Sequence, residues 1–422
     1  MFKKTLMSEF FTTINLNIFL RTLSFLTYKL PFIRYGKYVE NLENGFLWYI
    51  WNFDSRIISF YNWRSAIYHS LKMIWVTKND EVIVSWYTCV SVSNAVIQSW
   101  AKIIYSDIEK NNLWYDLKKL KQNITKNTKV IIVQYTFWKP NNIEKIIELA
   151  KDHKILIIED CAHSLWSKIK WKKLWSFWDF SIFSIGRDKV ISWITGWFLI
   201  INNQKYFNKI DSIKEKLNMP PIWLTFRNLF YNIVAYKSYK LYDFFSLWKM
   251  IIFLSRKFNI ITEILTEKEK KCNFKEFNYK LLNSSAFLAF KELQKIKLTN
   301  IYKISIANYY NNMIDNKYIK ILFKEEKQNK NNYFRYPILL ESEEIKKELY
   351  HYMKKNNILL WKSWSGINIV PEWVNLTNTN YILWKCLVAE NISKRILILP
   401  NHSLITFKDI KKIVQLLNNF KK

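Results

Sequence analysis

Residues Ile155–Lys189 read ILIIEDCAHSLWSKIKWKKLWSFWDFSIFSIGRDK. Two short apolar runs, ILII and FSIF, are each rich in residues that favour strands and each stop at a polar group. Asp160 closes the first run, so its carboxylate is expected at the carboxyl end of a strand. His163 follows three residues later, and Ser184 closes the second run, five residues before Lys189. A lysine beside one strand end can form a Schiff base, and a buried carboxylate at a neighbouring end can hold a pyridinium nitrogen protonated. Together they suit pyridoxal phosphate. Singly, each has an ordinary reading, since a lysine is usually a solvated surface residue and a strand-end aspartate is often a helix cap.

Outward from this stretch the same alternation continues. Val82–Ser85, Ile103–Asp107, Val130–Gln134, Ile155–Glu159, Phe180–Ser184 and Phe198–Ile201 read as strands. Amphipathic segments Arg64–Met73, Tyr115–Gln122 and Asn142–Asp152 lie between several of them. This βαβ rhythm predicts an α/β fold with a mostly parallel central sheet covered by helices on both faces. Such sheets take ligands outside the carboxyl ends of their strands.

Twenty tryptophans against five glycines is an unusual balance for 422 residues, because an average chain of this length carries roughly 30 glycines. Trp166, Trp171, Trp175 and Trp178 fall at the joints between short strand-like pieces, where backbones often need the freedom of glycine. The favoured reading is that these codons are UGA, which some bacteria translate as glycine. The alternative is a tryptophan-rich protein, and UGG codons at Trp63, Trp166 and Trp178 would establish it.

The chain is 50% hydrophobic and can bury a large core. Its net charge of +31 would ordinarily suggest nucleic acid or an anionic membrane. Lysine, asparagine and isoleucine are abundant throughout while arginine is scarce, a pattern that AT-rich codons produce without a partner. No motif for specific nucleic-acid binding is found. Cys89, Cys161, Cys272 and Cys386 are too scattered for a zinc site or a disulfide framework, which fits a reducing cytoplasm. The start, MFKKTLMSEFFTTINLNIFLRTLSFL, is interrupted by Glu9 and Arg21. It is expected to be an amphipathic arm rather than a signal peptide.

Three parts are expected: an arm over residues 1–35, a large domain over 36–270 and a smaller C-terminal α/β domain over 271–422. Within the large domain, Tyr206–Thr266 changes character, spacing Phe, Leu, Tyr and Ile with Lys and Arg. No apolar run there approaches the roughly 20 residues of a membrane-spanning helix. A helical insertion is expected, packed on the protein or, in a second reading, in peripheral contact with a membrane.

Several ordered pieces then decide a family. NWRSAI (Asn62–Ile67), NDEVIVSWYTCVSVSNAVIQSWAK (Asn79–Lys102), VQYTFWKP (Val133–Pro140), IIEDCAHSLWS (Ile157–Ser167), FSIGRDK (Phe183–Lys189), FNYKL (Phe277–Leu281), CLVAE (Cys386–Glu390) and LPNH (Leu399–His402) are among them. The chain resembles the DegT/DnrJ/EryC1/StrS sugar aminotransferases, from about Gly45 to Lys422. The resemblance implies the fold type I architecture of pyridoxal-phosphate enzymes. It also implies transfer of an amino group from an amino acid, with glutamate expected, to a keto sugar on a nucleotide carrier, in polysaccharide or lipopolysaccharide assembly.

By that resemblance Lys189 is similar to the lysine that carries the cofactor and shuttles the α-proton, and Asp160 to the carboxylate facing the pyridine nitrogen. His163 matches a position near the ring hydroxyl, and Ser184 a phosphate-binding serine. Arg64 and Ser65 follow a turn at a helix start, where free amides favour a phosphate. Asn278 resembles an asparagine that reaches the cofactor of a neighbouring subunit, which implies a homodimer. Trp63, Trp138, Trp166, Trp171, Trp175, Trp178 and Trp197 fall where the family pattern has glycine, while Trp364 stays open.

The chain departs from the pattern in three places. Cys89 stands where relatives often stack an aromatic ring on the cofactor, with Tyr87 as a substitute. Gly186–Asp188 replaces a commoner His-Pro-Thr, and the insertion is foreign to the simplest members. Some relatives replace the lysine with histidine and act as dehydratases; Lys189 favours transamination. A non-catalytic sensor or scaffold of the same fold is the alternative, and the retention of both Lys189 and Asp160 counts against it.

Overall fold

The computed structural model describes residues 5–8, 15–50, 52, 54–138, 143–169, 172–175, 178–187, 189–191, 193–244, 247–263, 265–275, 277–322, 329–361 and 374–421. Trp171, Asp188 and Trp364 lie outside these residues, as do the side chains of Trp63 and Trp138.

Seven strands form the central sheet. They are β1 (Arg56–Phe60), β2 (Glu81–Ser85), β3 (Lys102–Ser106), β4 (Thr128–Gln134), β5 (Leu156–Asp160), β6 (Phe180–Ser184) and β7 (Trp197–Ile201). Their spatial order is β1-β7-β6-β5-β4-β2-β3. From β3 to β6 every pairing is parallel, whereas β7 runs antiparallel to both β6 and β1. Every residue of β2 and β6 is buried. Near-continuous apolar strands are what a sheet covered on both faces requires.

The sequence reading places β2 to β7 to within a residue or two and omits β1. RIISF is short and is flanked by aromatic and polar residues on both sides, so it lacks a clear boundary. Tertiary pairing with β7 makes it a strand.

The covering helices include α1 (Leu16–Leu26), α2 (Tyr38–Ile50), α3 (Trp63–Met73), α4 (Val90–Gln98), α5 (Leu117–Asn123) and α6 (Ile143–Asp152). In α6, Ile143, Ile146 and Ala150 are buried while Glu144, Lys145 and Glu148 face outward. Spacing of three and four residues puts the apolar set on one face. Asp116 caps α5 by accepting from the Lys119 N–H at 3.0 Å.

Within the insertion lie α7 (Ile222–Lys240) and α8 (Leu247–Lys257), two helices packed on one another. The amphipathic arm is also packed: Phe19 of α1 stacks on Tyr236 of α7 at 4.6 Å, and Asn232 donates to the Thr22 hydroxyl at 3.0 Å. Thr5 donates twice to Asp243 through its backbone N–H and its hydroxyl, while Leu6–Met7 pair with Ile358–Leu359. None of the described helices is long and apolar enough to cross a membrane.

Towards the C-terminus, α9 (Asn283–Leu293) and α10 (Ile296–Met313) lead to a small antiparallel sheet. Its strands are β8 (Ile319–Ile321), β9 (Tyr336–Leu340) and β10 (Ile396–Leu399), in that order. It is accompanied by α11 (Glu343–Lys355), α12 (Leu387–Arg395) and α13 (Phe407–Asn419).

Candidate active site

The carboxyl ends of β4, β5 and β6 carry Gln134, Asp160 and Ser184. Gln134 is the register partner of Asp160, and Ser184 that of Trp197 at the start of β7. The Asp160 carboxylate is buried and accepts the Ala162 N–H at 3.1 Å. Burial raises its pKa, while the Ala162 hydrogen bond and the charge of Lys189 pull it down. A cationic N–H placed against it would favour the charged form further.

His163 sits in the turn after β5 with its ring parallel to Phe137, centroids 6.2 Å apart. The Phe137 N–H donates to Nδ1 at 3.3 Å, and Nε2 lies 2.9 Å from Lys189 Nζ. Burial foremost, and then the Lys189 charge whenever that amine is protonated, holds the imidazole pKa well below its ordinary value. With Nδ1 accepting, the single proton of the neutral ring belongs on Nε2. It then points at the Lys189 amine nitrogen.

The loop carrying Lys189 is pinned at both ends. Gly186 N–H donates to Ser184 Oγ at 3.2 Å, Ile185 N–H to Gly196 O at 2.9 Å, and Trp193 N–H to Ile185 O at 2.7 Å. Gly196 has φ +137°, and a Cβ there would come within 2.6 Å of the Ile185 side chain. Only glycine closes this loop so tightly.

Arg64 and Ser65 lie in the first turn of α3. The Arg64 guanidinium forms a buried ion pair with Glu269 and lies 4.1 Å from the Phe274 ring centroid. Glu269 in turn closes a capping box with Thr266. Ser65 is buried with no hydrogen-bond partner for its hydroxyl among the described residues. Cys89 stands at the N-cap position of α4 without a side-chain capping hydrogen bond, and burial raises its thiol pKa. Tyr87 is fully buried edge-on to Phe137 at 6.1 Å.

These residues meet around two connected spaces. A narrow cleft of about 20 Å³ is lined by Asp160, His163, Lys189, Cys89, Gln134 and Trp197. A cavity of about 460 Å³ adjoins it, with Ser184, Lys189, Tyr61 and Tyr279 on the inner side and Trp223 and Arg227 of α7 on the outer. Arg64, Lys189 and Trp197 border both. Ser65 and Asn278 line neither. The Asn278 side chain is exposed.

Sequence reasoning missed Gln134, Tyr61 and Arg227. Gln134 ends its strand as Asp160 does, and that signal was legible. Tyr61 and Arg227 carry no local signal, because only the fold of the insertion brings them to the cavity.

The donor set fits pyridoxal phosphate: a buried carboxylate with no ion pair among the described residues, a lysine amine within the same cleft, and a serine at the adjoining strand end. The cleft itself has room for one or two waters at most, and Trp197 borders both it and the larger cavity. A seven-stranded sheet of this order with these groups at its strand ends defines a fold type I pyridoxal-phosphate protein. The chain belongs to the DegT/DnrJ/EryC1/StrS aminotransferase family, whose model matches residues 27–236 and 260–418.

It is 26% identical over 181 residues to the GDP-perosamine synthase of Vibrio cholerae, covering 43% of this chain and 49% of that one. It is 30% identical over 183 residues to the UDP-4-amino-4,6-dideoxy-N-acetyl-beta-L-altrosamine transaminase of Campylobacter jejuni, covering 43% and 48%. The chain thus spans about half the length of these relatives. Its fold is similar over nearly the whole length to DesV of S. venezuelae, with a TM-score of 0.75, 13% identity and coverage of 99% and 98%. It is similar also to Helicobacter pylori PseC, with a TM-score of 0.72, 19% identity and coverage of 98% of each chain.

Proposed function

We propose that this protein is a transaminase that moves an amino group from an amino acid, with glutamate as donor, to a keto sugar carried on a nucleotide. The observation that carries this reading is the meeting of Asp160, His163 and Lys189 in one buried cleft. The relatives' names, which include a GDP-perosamine synthase and a transaminase of a UDP-linked sugar, support the substrate class. Pyridoxal phosphate supplies an electron sink for the carbon that loses its proton. With the cofactor bound, the buried Asp160 carboxylate would face the ring nitrogen and favour its protonated form, and the Lys189 amine, oriented by His163, would carry the cofactor and shuttle the proton. Ser184 and the first turn of α3 would hold its phosphate.

In this reading the enzyme works in the cytoplasm on precursors of a surface polysaccharide. It is a homodimer in which Asn278 of one subunit reaches the site of the other. Glutamate and the cofactor-loaded protein, mixed with a panel of nucleotide keto sugars, test it. Glutamate should convert the bound cofactor's absorbance to that of its amine form, and one keto sugar should convert it back. No spectral change with any amino donor would count against transamination.

We further propose that many of the tryptophan positions are occupied by glycine in the cell. Trp75, Trp100, Trp166, Trp175 and Trp384 have φ between 58° and 92°. This is the left-handed region that costs ordinary residues about 1–2 kcal/mol each. Trp75 follows α3 with its N–H on Lys72 O and the Val76 N–H on Leu71 O, the pairing of a helix end that glycine usually closes. The indole N–H groups of Trp86, Trp178 and Trp193 are buried without a partner among the described residues. Trp197 narrows the cofactor cleft. A Trp197→Gly protein should take up pyridoxal phosphate more tightly than the literal chain, and equal affinity would weigh against the idea.

A further inference from the structure

The family match stops at residue 236 and resumes at 260, so the end of α7, the connection and all of α8 lie outside the shared pattern. Helix α8 packs on α7 through Ile252 and Ser255, which are buried. Its opposite side is bare: Met250 is 52% exposed, Phe253 62% and Leu254 40%. Positions 250, 253 and 254 share one face of a helix. Phe258 at 65% and Ile260 at 40% extend the strip past the helix end.

Along the chain, the segment that carries this strip is strongly cationic. Between Lys216 and Thr262 the sequence carries Lys216, Arg227, Lys237, Lys240, Lys249, Arg256 and Lys257 against a single carboxylate, Asp243. That carboxylate is engaged by Thr5. Lys249, Arg256 and Lys257 are exposed beside the apolar side chains. An amphipathic helix with cations flanking exposed Phe, Leu and Met is the chemistry of a surface that lies in a lipid headgroup layer.

We propose that the α8 face, Met250, Phe253, Leu254 and Phe258 with Lys249, Arg256 and Lys257, docks on an anionic bilayer surface. The occupant follows from charge complementarity and from the place of α8 outside the family pattern, which sets it apart from surfaces common to the fold. None of the apolar residues is tryptophan, so the face is the same whichever residue the doubtful codons encode. Docking would hold the 460 Å³ cavity close to the membrane, since Trp223 of α7 and Asn259, just past the end of α8, line it.

The test is co-sedimentation of the full chain with vesicles of phosphatidylglycerol and phosphatidylcholine in equal parts, and of phosphatidylcholine alone. At moderate salt the anionic vesicles should bind at least about tenfold more strongly. High salt should reduce that advantage. Phe253→Asp with Leu254→Asp should abolish binding, and Lys249→Glu with Arg256→Glu and Lys257→Glu should lower it by about tenfold or more on the anionic vesicles. All these positions are exposed, and circular dichroism verifies folding; should the first pair misfold, the charge-reversed protein decides. Equal binding to both vesicles, no binding, or unchanged binding by the variants overturns the proposal. So does a variant that changes the mass of the particle in solution without changing vesicle binding, because a second copy of the chain would then cover the face.

Discussion

Lys189 Nζ lies 2.9 Å from His163 Nε2, with the buried Asp160 carboxylate in the same cleft. The amine proposed as nucleophile and proton carrier is thus oriented before any substrate arrives. Replacing Lys189 with alanine should lower transamination by at least about 10²–10⁴-fold while the protein still binds the cofactor noncovalently. Single-turnover absorbance with glutamate is the measurement, and retained turnover would remove Lys189 from its role.

Asp160→Asn keeps the shape of the side chain and removes its charge. The ring nitrogen should then lose its proton in the bound state, and turnover should fall on the order of 10²-fold or more. Cofactor affinity and the bound spectrum, followed with kcat, separate loss of charge from loss of binding. Unchanged kcat would mean that Asp160 does not face the nitrogen.

Trp75 and Trp100 are each about seven-tenths exposed and sit in the left-handed region just beyond a helix end. They have little packing to lose. Glycine at either position should raise stability by about 1 kcal/mol, read as a higher denaturation midpoint. A loss of stability at both would show that the tryptophans suit their places.

The Arg64–Glu269 pair is buried on both sides. Glu269→Gln would remove the carboxylate charge that faces Arg64 while keeping an amide oxygen for the capping box at Thr266. Breaking such a pair from one side costs about 3–5 kcal/mol. Urea unfolding of the variant is the check, and a cost below 1 kcal/mol would mean that water reaches the pair.

His69 stacks on Phe60 with ring centroids 5.0 Å apart, and burial lowers its pKa to about 4. The unfolded chain binds a proton near pH 6.5 that the folded chain refuses. The stability this histidine contributes is therefore complete above that pH and is lost as pH falls toward about 4. The loss is on the order of 3 kcal/mol, and the buried His163 acts in the same direction. His69→Phe keeps the stacking and should flatten the acid limb of the stability curve between pH 7 and 4.5, followed by urea titration.

The parallel core of the sheet was legible because Ile and Val runs end on polar residues at Gln134, Asp160 and Ser184. A strand buried on both faces leaves that mark in sequence. The edge strand Arg56–Phe60 left none, since it becomes a strand only by pairing with β7. The site was legible where it is local: Asp160, His163 and Lys189 lie within thirty positions of one another. It was illegible where distant chain converges. Glu269 meets Arg64 across 205 positions, and Tyr61 and Arg227 share a wall only because α7 folds over the strand ends. Asn278 was read as reaching the cofactor of a neighbouring subunit, and within one chain it lines neither space of the site. A role in a neighbouring subunit depends on contacts that one chain does not contain.

The first residues of the chain join places far apart in it. Thr5 holds Asp243 at the turn between α7 and α8, Ser8 donates to Ile398 O of β10, and His402 Nε2 lies 2.7 Å from Met7 O. Four residues thus act as a rivet between the helical pair over the cavity and the small sheet. A hinge motion of either body would have to carry the other along or break these contacts, so the arm ties the posture of the helical pair to that of the C-terminal sheet.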